Sequence, residues 1–142
     1  MILADTSVWI DYFHDGPTAD AMELLLANDI LCVNDVILAE LLPQMIHRRE
    51  QELIDILLAL PKMQMNVDWD KIIAMQTENI RHGLNKVGIP DLMIAQNVIQ
   101  SNAKLFTIDK HFALMSEFQG LSLFVPSENG IKNNGCEPLG VK

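Results

Sequence analysis

Three short runs of this chain, Ile2-Leu3-Ala4, Ile30 to Val33 and Leu105 to Ile108, are apolar without alternation. A strand with one wet face alternates apolar and polar residues, whereas a strand buried on both faces does not. Two further runs, Met63 to Val67 and Leu121 to Val125, read as a weaker third strand and a last strand. Helical segments lie between them: Ser7 to Phe13, Ala21 to Leu26 after the Gly16-Pro17 break, Val36 to Leu42, Arg49 to Leu60, Asp70 to Leu84, Asp91 to Ser101 and Lys110 to Met115. Asn34-Asp35 offers a cap for the third of these, and Pro43 predicts its end or a kink. This alternation predicts an α/β fold, a short parallel sheet covered by helices on both faces. The pattern occupies residues 1–126 as a single domain. Residues 127–142, with Gly130, Gly135, Gly140 and Pro138 and no apolar period, read as a polar, mobile tail.

Composition excludes several classes. The longest apolar runs fall well short of the ~18 residues of a membrane helix, so no membrane role is expected. The start carries Asp5 and Asp11 without Lys or Arg, which is not the basic opening of a signal peptide. Cys32 and Cys136 stand far apart and form neither a disulfide framework nor a zinc motif, and a reducing cytoplasm is the simplest location. Among the nucleotide and hydrolase motifs, there is no Walker-type loop, no G-x-G-x-x-G and no G-x-S-x-G elbow.

The informative feature is the placement of four acids. Asp5 directly follows the first strand, and Asp109 directly follows the Leu105 to Ile108 strand. Asp91 follows Pro90 in the first turn of a helix, and Glu40 sits within the apolar helix Val36 to Leu42. Ligands of open parallel sheets bind outside the carboxyl ends of the strands, where Asp5 and Asp109 fall. Each acid also has a plainer reading. Asp5 and Asp109 suit N-caps, Asp91 complements a helix dipole, and Glu40 either faces water or is desolvated at a cost. Gathered at one end of the sheet, four carboxylates repel one another and need a counter-charge. Oxygen ligands without clustered His or Cys point to Mg²⁺ or Mn²⁺ rather than zinc.

DTSVWIDYF at 5–13, AELL at 39–42, IPDLMIA at 89–95 and TIDKHF at 107–112 resemble, in order and spacing, the motifs of PIN domains. Specifically they resemble those of VapC-type toxins of bacterial and archaeal toxin–antitoxin pairs, from residue 2 to about residue 126. The resemblance implies a metal-dependent endoribonuclease in which Asp5, Glu40, Asp91 and Asp109 form the acidic quartet. It assigns supporting hydroxyls to Thr6, Ser7 and Thr107, and none of the acids is missing. It also implies a homodimer and a small, partly basic antitoxin as partner. The helix around Leu53, Ile54, Ile56, Leu57, Leu58 and Leu60 is apolar on nearly every side, which fits a dimer burying on the order of 1,200–2,000 Å² unless Pro61 and the third strand cover it.

Lys110 and His111 adjoin a site acid and are candidate RNA contacts, whereas His47-Arg48-Arg49 and Arg81-His82 with Lys86 read as solvated faces. Trp9 and Phe112 are better suited to the core than to stacking bases. Two other readings stand beside the toxin: a housekeeping PIN nuclease for RNA processing, and a non-catalytic Mg-binding α/β signalling module. A phospho-acceptor receiver needs adjacent acids after its first strand, where Thr6-Ser7 stand here. The formal charge of −9 opposes long-range attraction of RNA and favours a basic protein partner. An Arg or Lys of that partner reaching the four acids is the physical expectation.

Overall fold

The structure, a computed structural model, describes residues 1–127. Three strands, β1 (Ile2–Ala4), β2 (Leu31–Cys32) and β3 (Lys104–Phe106), form a parallel sheet in the order β2-β1-β3. Ile2 lies opposite Leu31 and Lys104, Leu3 opposite Cys32 and Leu105, and Ala4 opposite Phe106. All three residues of β1 are buried although their side chains alternate between faces, so both faces of the sheet are covered, as the unalternating sequence predicts. Seven helices provide the cover: α1 (Thr6–Phe13), α2 (Ala19–Ala27), α3 (Asp35–His47), α4 (Gln51–Ala59), α5 (Trp69–Arg81), α6 (Ile89–Gln100) and α7 (Lys110–Met115). The tail expected beyond Ser127 lies outside the described residues.

Two expected strands shrink to single bridges, Val33 with Lys62 and Leu105 with Leu123. At the first edge, Val33 N–H donates to Pro61 O at 3.0 Å and Met63 N–H donates to Val33 O at 2.7 Å. Beyond that point α6 side chains take over the backbone groups. Asn97 Nδ2 donates to Gln64 O at 2.8 Å, and Gln96 both accepts from Asp68 N–H at 3.1 Å and donates to Asp68 O at 3.0 Å. These side-chain bonds at Gln64 and Asp68 stand in for strand pairing, and the expected third strand does not form among the described residues.

Helix α3 differs from expectation by running through Pro43. Pro43 cannot donate to the carbonyl of Ala39, but both residues lie on the exposed side of α3, where the lost bond is least costly, and the helix continues. At the start of α3, Asn34 Oδ1 accepts from Ile37 N–H at 2.9 Å while its Nδ2 donates to Asn97 Oδ1 at 3.0 Å. This buried amide pair ties the entry of α3 to the middle of α6. Trp9 and Phe112 are core residues, in line with the sequence. The apolar helix α4 is mostly covered within the chain: Leu57 is fully buried, Leu53, Ile54 and Ile56 pack partly against the core, and Leu58 stays exposed.

Asp15, Asp29, Arg49 and Asn102 have φ of +53°, +54°, +58° and +49° just beyond helix ends. Asp and Asn tolerate this left-handed conformation, and Arg does not gain the local hydrogen bonds that make it cheap. Arg49→Gly is therefore expected to stabilise the chain by about 1 kcal/mol, a rise in Tm of roughly 3 °C. A melting curve that is unchanged or lower contradicts this account of the α3–α4 turn.

Candidate active site

The site is built where β1 and β3 end. Asp5 caps α1, accepting from Val8 N–H at 3.2 Å on Oδ1. Its carboxylate also accepts from Ser7 Oγ at 2.5 Å and, through Oδ2, from Thr107 Oγ1 at 2.6 Å. The same hydroxyls reach the other strand end. Ser7 Oγ accepts from Ile108 N–H at 3.4 Å, and Thr107 Oγ1 accepts from Asp109 N–H at 3.0 Å. Asp109 caps α7 through Oδ1, which accepts from His111 N–H at 2.8 Å. The capping reading of Asp5 and Asp109 is thus right, and it leaves room for a site at Asp109, because a cap uses one side of a carboxylate and leaves the rest available.

Helices bring the other two acids. Asp91 is half-buried in the first turn of α6, behind Pro90. Glu40 lies on the exposed side of α3, opposite the buried Ile37, Leu38, Leu41 and Met45. Among the described residues neither carboxylate accepts a hydrogen bond of good geometry. Thr6 Oγ1, beside Glu40, is buried and likewise has no hydrogen-bond partner.

The four acids affect one another. Burial raises the pKa of Asp5 above its ordinary value, hydrogen bonds from Ser7, Thr107 and Val8 pull it back, and Asp109 adds repulsion. Glu40 is raised first by partial desolvation and then by Asp91, eased by nearby Thr6, and raised again by Asp5. Asp91 is raised by burial, then by Asp109 and Asp5, and eased by His111. Asp91, Asp109 and His111 present ligand atoms within 4.8 Å of one another. Repelling carboxylates, two of them without hydrogen bonds, and an orphaned hydroxyl are a donor set that a divalent cation fits.

Sequence reasoning did not foresee His111 as a neighbour of both Asp91 and Asp109. The available signal was its position two residues after a capping acid, which folds it back toward the cap. A groove of about 340 Å³ beside Glu40 was also missed. It is lined by Thr6, Ile10, Phe13, Gln44, Arg48 and Leu53 among others, residues from three separate stretches. Lys110 is exposed, as are the basic residues at 47–49, 81–82 and 86. Arg81 pairs with Glu78 at 2.6 Å, and His82 stacks on Phe118 at 3.9 Å.

The profile of the family described as PIN domain matches residues 2–117. No curated protein matches the chain. Among solved structures, the chain is similar to VapBC2 from Rickettsia felis, solved bound to a DNA fragment from their promoter, with 26% identity and a TM-score of 0.68 over 87% of this chain and 97% of that one. It shares its fold with FitAcB from Neisseria gonorrhoeae, at 20% identity and a TM-score of 0.60 over 88% and 97% of the two chains. The same holds for DNA-bound VapBC from Salmonella typhimurium, at 18% identity and 0.59 over 86% and 95%.

Raised carboxylate pKa values have a thermodynamic sign. The folded chain holds protons on Asp5, Glu40 and Asp91 more tightly than the unfolded chain does. Their contribution to stability is fully present below the unfolded carboxylate range and is lost as pH rises through the folded values. In metal-free buffer Asp5→Asn, a neutral isostere, is therefore expected to raise Tm at pH 7 and to flatten this part of the pH dependence. A variant that melts lower than wild type at pH 7, with an unaltered slope, contradicts the repulsion.

Proposed function

We propose, since the chain belongs to the PIN domain family of nucleases, that it is a metal-dependent endoribonuclease acting as the toxin of a type II toxin–antitoxin pair. The observation that carries the catalytic part is the mutual approach of Asp5, Glu40, Asp91 and Asp109 from four separate elements. Asp91 and Asp109, with Asp5 behind them, would hold Mg²⁺ or Mn²⁺. Such an ion, when bound, activates water and stabilises the phosphodiester oxygens during hydrolysis.

The chain's own residues set up the rest. Ser7 and Thr107 fix Asp5 through both of its oxygens, so its carboxylate does not need to reorient. Glu40 keeps an elevated pKa and contact with solvent, which suits it to take the proton from the attacking water. Lys110, exposed next to Asp109, is placed to meet an RNA phosphate.

Similarity to VapBC2 supports the partner, a small, partly basic antitoxin. The charge of −9 supports it independently, since it favours a cationic segment over a polyanion at long range. An Arg or Lys of that segment pairing with the acids inhibits the site, in a complex that weakens with salt. A homodimer belongs to the same reading, with its apolar surface on α5, where Trp69, Ile73 and Ile80 are exposed, rather than on the largely covered α4. Light scattering at micromolar concentration is expected to give twice the chain mass, and a monomer rejects the dimer.

The purified chain is expected to cleave RNA with Mg²⁺ or Mn²⁺, to stop in EDTA, and to spare a DNA of the same sequence. Even outer-sphere partners of a metal are worth ~10–100-fold, so Asp91→Asn should cost more than about 10²-fold with circular dichroism unchanged. RNA cleavage undiminished by EDTA or by this substitution overturns the proposal.

A further inference from the structure

The acids of this site are not equivalent as ligands. Asp5 is almost fully buried, and both of its oxygens already accept hydrogen bonds. Glu40 stands at the exposed rim. The tightest gathering of donor atoms is instead Asp91, Asp109 and His111, all within 4.8 Å of one another. Ligands at right angles on one ion, with bonds of about 2.0–2.2 Å, lie about 3 Å apart, so these three need to close by up to about 2 Å, a side-chain adjustment.

His111 is held for this purpose by its surroundings. Its backbone N–H is bonded to Asp109 Oδ1, and its ring Nδ1 lies 3.6 Å from that same oxygen. Its neighbour Phe112 is buried in the core and anchors the turn. Among the described residues neither Asp109 Oδ2 nor the Asp91 carboxylate carries a hydrogen bond. One ligand atom from each of Asp91, Asp109 and His111 therefore lies close to the other two.

Building on the metal-site reading above, we infer that His111 is a nitrogen ligand to the divalent cation held by Asp91 and Asp109, which makes the site prefer Mn²⁺ over Mg²⁺. The chemistry behind the preference is general. Mg²⁺ is hard and takes oxygen ligands and water, whereas first-row transition ions accept imidazole readily. A neutral ring adds a donor without adding charge, so it strengthens binding of such an ion and leaves the carboxylates to balance its charge.

The test uses the full chain, stripped with chelator, and Mn²⁺ alone as the probe. Pulsed electron paramagnetic resonance of the Mn²⁺-loaded chain is expected to show modulation from a directly bound ¹⁴N. His111→Gln, which leaves an oxygen in place of the ring, is expected to lose that signal. By calorimetry its Mn²⁺-to-Mg²⁺ affinity ratio falls by about tenfold or more, while its Tm in EDTA matches wild type. Substitution of His14, His47 and His82 together is expected to leave the nitrogen signal intact. Mn²⁺ bound without nitrogen modulation, or a signal and ratio unchanged in His111→Gln, overturns the inference and leaves the carboxylate metal centre standing. A chain that takes up no Mn²⁺ at all overturns both.

Discussion

Asp5 sits at the end of the central strand with almost no access to water, and hydrogen bonds from Ser7, Thr107 and Val8 hold it there. A carboxylate in that position is costly, and the cost is only partly met by neutral donors, because its pKa stays raised. What remains must be met by a cation, by a proton or by loss of stability. The rest of the site follows from this. Thr107 and Ser7 each join Asp5 to the segment after β3, so the burial of one acid fixes the place of Asp109 as well.

The scaffold exists to keep repelling groups close. Glu40 and Asp91 ride on α3 and α6, and those helices are locked together by Asn34 and Asn97, buried amides that satisfy each other and the backbone around Gln64. Amide pairs of this kind are expensive to leave half-satisfied, so they specify one arrangement of the two helices. On the metal-site proposal, a cation bound between acids that repel one another in a frame that does not relax would add its binding free energy to stability, because it binds only the folded state. The acidity of the whole chain adds to this pull on cations and on basic protein segments.

Much of this was legible in the sequence, and for identifiable reasons. The burial of β1 on both faces follows from three apolar residues without alternation, and the position of Asp5 follows from counting to the end of β1. By contrast β3 stops at Phe106, two residues earlier than the sequence predicts, and Asp109 follows Thr107 and Ile108 as the cap of α7. The four motifs around the acids carried the resemblance to PIN domains that the family profile bears out. What was not legible depends on tertiary partners. Pro43 does not end α3, and it and Ala39, whose carbonyl loses its partner, are both exposed, which the sequence alone does not report. Met63 to Val67 does not pair as a strand beyond Met63, and Asn97, some thirty residues away, takes the carbonyl of Gln64 while Gln96 takes both backbone groups of Asp68 just beyond the segment. The closeness of His111 to Asp91 was not legible either, because it is set by the packing of α6 against the end of β3, which no local pattern reports.

The central claim is that acids from separate elements converge to bind a metal. Crystals of the chain grown with Mn²⁺ and measured at the manganese absorption edge test it most directly. The account predicts an anomalous peak between Asp91 and Asp109, within bonding distance of their carboxylates. A well-ordered site with the four carboxylates placed as described, no peak among them at saturating Mn²⁺ and none induced by raising the pH contradicts it.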